Sequence, residues 1–143
     1  GGASRAILYF LNKKNIENID IFAKSFRRRQ GLSENFKFKN FTNKTTLLKK
    51  KYDLIINASN AGMSHGNKIN RNILRLVKKT KGVIDIVYNP IETNLLKEAK
   101  KHNIKSIGGL IMLVEQAKPS FEIWSKKDIE IDDKIYQSLI SKI

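Results

Sequence analysis

Two stretches of the sequence carry residues whose types and spacing suit ligand binding. The first runs from Asp85 to Pro90 as an apolar strand pattern with a polar, turn-forming tip. The second starts a helical pattern at Gly109 and carries Met112 and Gln116 about one turn apart. Open α/β sheets hold their ligands at strand tips and helix starts. The two stretches together therefore predict a binding cleft.

A glycine-rich start, Gly1-Gly2-Ala3, opens directly into a helical pattern. In a dinucleotide-binding turn, glycines let the backbone approach the pyrophosphate, which then rests on the helix N-terminus. The full turn needs a strand and an earlier glycine before this point, so we expect the first strand of such a sheet to be missing. Taken alone, the glycine pair is equally explained by a cloning remnant or a flexible start.

The next predicted strand ends in a basic segment with Lys24, Ser25 and the arginine run 27–29. In Rossmann sheets the tip of the second strand meets the adenosine ribose, where an acid favours NAD and cations favour the 2′-phosphate of NADP. Arginine suits phosphate because its planar fork donates paired hydrogen bonds. This tip has no acid, so the residues predict NADP. A solvated basic turn is the alternative.

Helical and extended patterns alternate along the chain and must position these residues. Helices are predicted over 3–14, 26–32 with Ser25 as N-cap, 42–51, 71–79, 93–102, 110–124 and 132–143, and strands over 19–23, 36–39, 53–57, 82–88 and 104–107. This alternation indicates βαβ units and a mostly parallel, doubly wound sheet in one α/β domain. Pro119 predicts a kink in the long helix, or a break before it.

Composition narrows the functional classes. The 143 residues are 41% hydrophobic and lack cysteine, which excludes disulfides and thiolate chemistry. No apolar run approaches the roughly 20 residues that span a bilayer, and no signal peptide is visible, so we expect a soluble, cytoplasmic protein. The net charge of +15 raises nucleic-acid binding as an alternative, but lysines scattered at helix ends account for most of it. His65 and His102 are expected to be solvated, and no metal-ligand cluster is visible.

Taken together, the motifs resemble the shikimate dehydrogenases. The segments that carry the resemblance are 1–6, 23–25 together with Arg28, 53–63, 85–96, 108–117 and 121–124, in the family's order and spacing. The resemblance covers essentially the whole chain. It implies that residues 1–143 are a Rossmann-like, NADP-binding α/β domain that lacks its first strand and the N-terminal substrate domain. The C-terminal helices 110–124 and 132–143 would pack toward that missing domain.

The resemblance also implies roles for individual residues. Gly1, Gly2 and Ala3 would contact the pyrophosphate; Lys24, Ser25 and Arg28 the adenosine phosphate; Ile86, Gly109 and Met112 the nicotinamide; and Tyr88 and Gln116 the substrate. The chain departs from the family where Lys24 replaces the usual arginine and Ala23 the usual asparagine. Recognition of the 2′-phosphate would therefore rest more on Arg28. Ser59 replaces the usual threonine, which is a mild change.

The implied activity is the NADP-dependent, reversible reduction of 3-dehydroshikimate to shikimate in chorismate and aromatic amino acid biosynthesis. In this family the catalytic Lys–Asp pair lies in the N-terminal domain, so the chain itself would hold no catalytic residue and no metal. We expect the chain to be inactive alone, and unstable unless an upstream segment completes its sheet. The expected partners are the small-molecule substrate, the missing domain and a second copy in a homodimer, with no nucleic acid or membrane.

Three other functions remain open at the level of sequence. The first is a quinate/shikimate dehydrogenase with relaxed cofactor choice. The second is a catalytically dead binding module that has kept the fold. The third is a basic, non-catalytic nucleic-acid-binding domain, whose affinity would fall steeply with salt.

Overall fold

The computed structural model describes residues 1–23, 26–42 and 44–142. It divides into two compact units, Gly1–Lys50 and Lys51–Ile143. In both units the strands pair in parallel and helices lie between them in sequence. This is the mostly parallel α/β class predicted from the alternating patterns. In the described part of the chain, no helix is both long and apolar enough to cross a membrane.

The first unit packs helices around a short parallel pair of strands. Its elements are α1 (Gly2–Lys13), β1 (Asp20–Ile21), α2 (Phe26–Ser33), β2 (Asn40–Phe41) and α3 (Lys44–Lys49). Leu8, Leu32 and Leu47 supply one buried side chain from each helix. The register aligns Asp20 with Asn40, and the Asp20 carboxylate accepts hydrogen bonds from the Asn40 amide and the Lys50 ammonium group at 3.1 and 2.6 Å.

The predicted strand at 36–39 is wrong, because the observed strand lies just beyond it at Asn40–Phe41. Within 36–39, the side chain of Asn12 takes the place of a neighbouring strand. Its carbonyl oxygen accepts from the Lys37 N–H at 2.8 Å, and its amide group donates to the Lys37 carbonyl at 2.7 Å. Both backbone groups of Lys37 are therefore paired with a side chain on α1 instead of with a sheet.

The second unit contains a three-stranded parallel sheet in the order β3-β4-β5. Its elements are β3 (Leu54–Asn57), α4 (Arg71–Val77), β4 (Gly82–Asp85), α5 (Asn94–Lys101), β5 (Lys105–Ile107), α6 (Gly109–Ser125) and α7 (Asp133–Ile140). The central strand lies over a core formed by Val77, Val83, Leu95, Leu96 and Ala99. Because all three strands run in parallel, the ends of β3 and β4 lie at one edge of the sheet.

Helix α6 runs without a break from Gly109 to Ser125, so the predicted break before Pro119 does not occur. Proline lacks the N–H that would bond to the carbonyl of Glu115 one turn earlier. Both residues are solvent-exposed, so water can bond to that carbonyl and the helix can continue. The last helix is shorter than predicted and starts at an N-cap, Asp132, whose carboxylate accepts from the Ile135 N–H at 3.0 Å.

Candidate functional site

A fully buried carboxylate, Asp85, lies at the end of the central strand β4. One of its oxygens accepts from the Asn57 amide at 2.8 Å and from the Val87 N–H at 3.1 Å. The other accepts from the Thr93 hydroxyl at 2.6 Å. Burying a charge without partners is costly, so these neutral donors are what make a carboxylate tolerable here. Asp85 therefore joins the ends of two strands to the start of α5.

Thr93 has two tasks at that junction. It is the N-cap of α5, and its oxygen accepts from the Leu96 N–H at 3.3 Å while its hydroxyl proton is donated to Asp85. A threonine in this position satisfies an orphan N–H of the first helical turn. The start of α5 is thus fixed to the end of β4 through one side chain.

The loop after β3 is shaped by the side chain of Asn57. Its amide group also donates to the Ala61 carbonyl at 2.9 Å, and its oxygen accepts from the N–H and hydroxyl of Ser59 at 3.2 and 2.7 Å. The hydroxyl of Ser59 is therefore part of the hydrogen bonding that shapes this loop. Gly62 adopts a φ of +97°, which favours glycine, and its N–H donates to the Asn67 carbonyl at 2.7 Å.

The same loop is tied to the turn that follows β4. The Ser64 hydroxyl donates to the side-chain oxygen of Asn89 at 2.9 Å, and the Ser64 N–H donates to the Asn89 carbonyl at 3.3 Å. The peptide bond between Asn89 and Pro90 is cis. The two polar segments that follow β3 and β4 are therefore connected to each other at the carboxyl edge of the sheet.

Helix α6 begins in direct contact with the backbone that follows β4. The Gly109 N–H donates to the Val87 carbonyl at 3.2 Å, and a Cβ at position 109 would overlap the backbone of Ile86 and Val87. Only glycine lets the helix start this close. The structure thus brings together Ile86 and Gly109, two residues that were predicted to line one pocket.

The other predicted residues of this region lie on the surface or close to it. Tyr88 is 39% exposed, Met112 is half-buried and Gln116 is exposed on α6. No hydrogen bond joins Tyr88 to Gln116 among the residues that the structure describes. Their predicted contacts with a nicotinamide or a substrate remain predictions.

The predicted pyrophosphate contacts Gly1, Gly2 and Ala3 lie at the N-terminus of α1. Gly1 is the N-cap without a side-chain hydrogen bond, and the first turn contains no acidic residue. A Cβ on Gly1 or Gly2 would meet no atom within 4 Å. The first helical hydrogen bond joins the Arg5 N–H to the Gly1 carbonyl at 3.3 Å. The segment predicted to bind pyrophosphate thus lies at a helix N-terminus, where the helix dipole favours an anion.

The structure describes only some of the residues that were predicted to contact the adenosine phosphate. Lys24 and Ser25 lie outside the described residues, and of Arg28 the structure describes its position in α2. The last turn of α2 is held by Arg5, whose guanidinium donates to the Gly31 carbonyl at 3.3 Å. The preference for NADP at this tip therefore stays a prediction from sequence.

Sequence reasoning gave no role to Asp85, Asn57 or Ser64, although they form the hydrogen-bonded framework of the strand ends. One signal was available, because Asp85 is a lone acid inside an otherwise apolar strand pattern. Of the two histidines, His65 is exposed, whereas His102 is half-buried with Nε2 3.0 Å from Glu98. Within the described ranges no three His, Cys, Asp or Glu side chains converge as metal ligands.

Comparison with known proteins relates the chain to one enzyme family. No protein-family model matches the chain. It is 40% identical over 149 residues to the shikimate dehydrogenase (NADP(+)) of Methanococcus maripaludis, a match that covers 98% of this chain and 52% of that protein. The chain spans about half the length of the curated relatives it matches.

Solved structures give the same result. A chorismate mutase/shikimate 5-dehydrogenase fusion protein from Clostridium acetobutylicum is 32% identical with a TM-score of 0.79, over 99% of this chain and 52% of that one. A shikimate 5-dehydrogenase from Listeria monocytogenes, solved in complex with shikimate and NAD, is 25% identical with a TM-score of 0.75, over 97% of this chain and 53% of that one. The chain is thus similar, over nearly its whole length, to about half of a shikimate dehydrogenase.

Proposed function

We propose that this chain is the NADP-binding half of a shikimate dehydrogenase that reversibly reduces 3-dehydroshikimate to shikimate. The observation that carries the proposal is the 40% identity to a shikimate dehydrogenase (NADP(+)) across 98% of the chain. The geometry supports it, because the segments that resemble the family's motifs occupy the carboxyl ends of β3 and β4 and the start of α6. Those are the places where an open α/β sheet holds its ligand.

The residues of the first unit fit the phosphates of a dinucleotide. Gly1, Gly2 and Ala3 would hold the pyrophosphate at the N-terminus of α1, where backbone N–H groups and the helix dipole favour an anion. Lys24, Ser25 and Arg28 would hold the 2′-phosphate, because cations without an acid at this tip favour NADP over NAD. The Listeria relative was solved with NAD, so cofactor preference needs a direct measurement.

The residues of the second unit fit the reacting end of the cofactor and the substrate. Bound NADP would supply or accept the hydride. Ile86 and Gly109 would orient the nicotinamide with apolar and backbone surface, and Met112 would pack nearby. Tyr88 and Gln116 carry exposed hydrogen-bonding groups that would contact the hydroxyls and carboxylate of shikimate.

Asp85 does not fit the role of the general base. Both of its oxygens already accept hydrogen bonds from neutral donors, and its side chain is fully buried. A general base must reach the proton that it removes. By the family resemblance, the hydroxyl proton of the substrate would be transferred by a Lys–Asp pair in the N-terminal half of the enzyme.

The C-terminal end of α6 supports a contact with that other half. Phe121, Ile123 and Trp124 are 48%, 75% and 82% exposed, although each is a large apolar side chain. Contiguous exposed apolar residues mark interaction sites. We propose that helices α6 and α7 pack against the substrate-binding half. We also propose that the protein is cytoplasmic and forms a homodimer, which cell fractionation and light scattering would test.

A fusion protein tests the proposed function. The N-terminal half of the Methanococcus maripaludis enzyme is joined ahead of Gly1, so that this chain replaces the C-terminal half of that enzyme. The intact parent enzyme is the positive control, and this chain alone is the negative one. We expect the fusion, but not the chain alone, to reduce NADP⁺ when shikimate is added. A folded fusion that binds NADP⁺ and gives no turnover would contradict the proposal.

A further inference from the structure

We propose that Asp85 is a positioning residue, which holds the Val87 peptide so that Ile86 and Tyr88, on either side of it, face the cofactor and the substrate. This inference rests on the proposed function, and it adds a residue to which sequence reasoning gave no role. The side chain of Asp85 itself is fully buried.

The backbone between Ile86 and Tyr88 is anchored from three directions. The Val87 N–H donates to Asp85 at 3.1 Å, and the Val87 carbonyl accepts from the Gly109 N–H at 3.2 Å. The Ile86 N–H donates to the carbonyl of Asn57 at 3.1 Å. The N–H and the carbonyl of Val87 are thus held by two different elements, β4 and α6.

Rotation at Val87 would move both neighbouring side chains. Val87 is 3% exposed, whereas Ile86 is half-buried and Tyr88 is 39% exposed. The side chain of Val87 therefore lies in the core while its neighbours reach the surface. Loss of the anchor on the Val87 N–H would let this peptide turn, and the two residues proposed to contact ligands would turn with it.

A structural role for Asp85 in capping α5 does not explain why a charge is buried here. Thr93 caps α5 with its own oxygen, which accepts from the Leu96 N–H. Burying an ionised carboxylate is costly unless its oxygens accept hydrogen bonds. What the carboxylate adds is an acceptor that reaches Val87, Asn57 and Thr93 together, and this fixes the geometry of the strand end.

The test uses two variants of Asp85 in the fusion protein. Asp85→Ala removes the acceptor, and we expect kcat to fall by about ten- to a hundredfold, the effect of a misplacement of the order of 1 Å. The dissociation constant of NADP⁺ should stay within about threefold, because most of the cofactor contacts lie elsewhere. Asp85→Asn keeps an oxygen that can accept from the Val87 N–H, so it should recover most of the lost kcat.

Asn70→Ala is the matched control. Asn70 caps α4 in the same unit through a bond of 2.9 Å to the Asn72 N–H, so its loss also destabilises this unit. Asn70 makes no hydrogen bond to residues 86–88. The kcat of the Asn70→Ala fusion should therefore stay within about twofold of that of the unsubstituted fusion. Equal losses of kcat in Asp85→Ala and Asn70→Ala would overturn the positioning role.

Amide hydrogen exchange in the unsubstituted fusion tests the hydrogen bond from the Val87 N–H to Asp85 without any variant. This measurement can be made even if Asp85→Ala fails to fold. We expect the Val87 amide to exchange about a hundredfold or more slowly than a solvent-exposed amide. Rapid exchange at Val87 in the folded protein would overturn the proposal. If the unsubstituted fusion gives no shikimate-dependent turnover, the proposed function fails instead, and this inference fails with it.

Discussion

The carbonyl of Ile86 lies so close to the Cα of Gly109 that position 109 has no space for a side chain. The same contact brings the Gly109 N–H to the Val87 carbonyl at 3.2 Å. The start of α6 and the end of β4 therefore form one packed unit. Any side chain at position 109 must separate the two elements.

Gly109→Ala should destabilise the protein by about 1–3 kcal/mol, the usual cost of overpacking a filled site. The overlapping atoms belong to the backbone and cannot rotate away. Gly108→Ala is the neighbouring control, because its Cβ would meet the flexible end of Leu96 at 3.3 Å and the backbone oxygen of Ile91 at an ordinary contact distance of 3.8 Å. Urea unfolding followed by circular dichroism measures both variants. Equal midpoints for the two would contradict this packing.

Asn12 should stabilise the first unit by holding the segment at Lys37. Asn12→Ala removes both hydrogen bonds to the Lys37 backbone and should cost about 1–2 kcal/mol, since each net hydrogen bond contributes about 1 kcal/mol. Asn35→Ala is the control, because it removes a single exposed bond to the Gly31 carbonyl. Thermal unfolding compares the two. A smaller loss of thermal stability for Asn12→Ala than for Asn35→Ala would contradict a stabilising role for the two hydrogen bonds between Asn12 and Lys37.

Arg28 should discriminate between the two cofactors. Arg28→Ala is expected to weaken NADP⁺ binding by about ten- to a hundredfold, because a hydrogen bond to a charged group contributes about 1.5–3 kcal/mol. NAD⁺ lacks the 2′-phosphate, so its affinity should hardly change. Arg71→Ala removes the same charge from the exposed start of α4 and controls for net charge. Calorimetric titration with each cofactor gives the result. Equal effects of the two variants would instead indicate general attraction of anions.

Glu122 should make the segment after α6 sensitive to acid. The N–H of Ile129, which donates to its carboxylate at 3.2 Å, and then Lys118 hold the pKa of Glu122 below its ordinary value. A lowered pKa means that the contact stabilises the fold above the ordinary pKa and is lost as the pH falls through the lowered value. The Ile129 amide resonance should therefore shift at a pH below the usual range for glutamate.

Glu122→Gln is the control for that titration. Its side-chain oxygen can still accept from the Ile129 N–H, but it does not ionise. The resonance of Ile129 should then stay constant over the acid range. A titration of Ile129 that persists unchanged in Glu122→Gln would show that another group is responsible.

The order and type of most elements could be predicted from the sequence, because strand and helix patterns alternate with clear periods. The strand at 53–57 and the helix at 93–102 match β3 and α5 closely, since apolar spacing and a threonine cap define them locally. The prediction of a strand at 36–39 was wrong because the backbone of Lys37 is paired with the side chain of Asn12, a residue of an earlier helix. No local pattern contains that pairing.

The candidate site was predictable in its location more than in its internal structure. Ile86 and Gly109 lie together as expected, but the buried carboxylate that fixes their surroundings had no predicted role. The strand predicted over 82–88 is longer than the observed strand β4, which ends at Asp85. Beyond that point the Val87 N–H bonds to a side chain of its own strand instead of to a neighbouring strand. This hydrogen bond depends on the tertiary contacts that Asn57 and Thr93 make with Asp85, which the local sequence does not contain.

The proposed function is tested most directly by the rate at which the fusion protein reduces NADP⁺, followed by absorbance with and without shikimate. NAD⁺ is assayed in parallel at matched concentration. We predict turnover that requires shikimate and is faster with NADP⁺ than with NAD⁺. A folded fusion that reduces neither cofactor in the presence of shikimate, beside an active parent enzyme, would contradict the claim that this chain is the cofactor-binding half of a shikimate dehydrogenase.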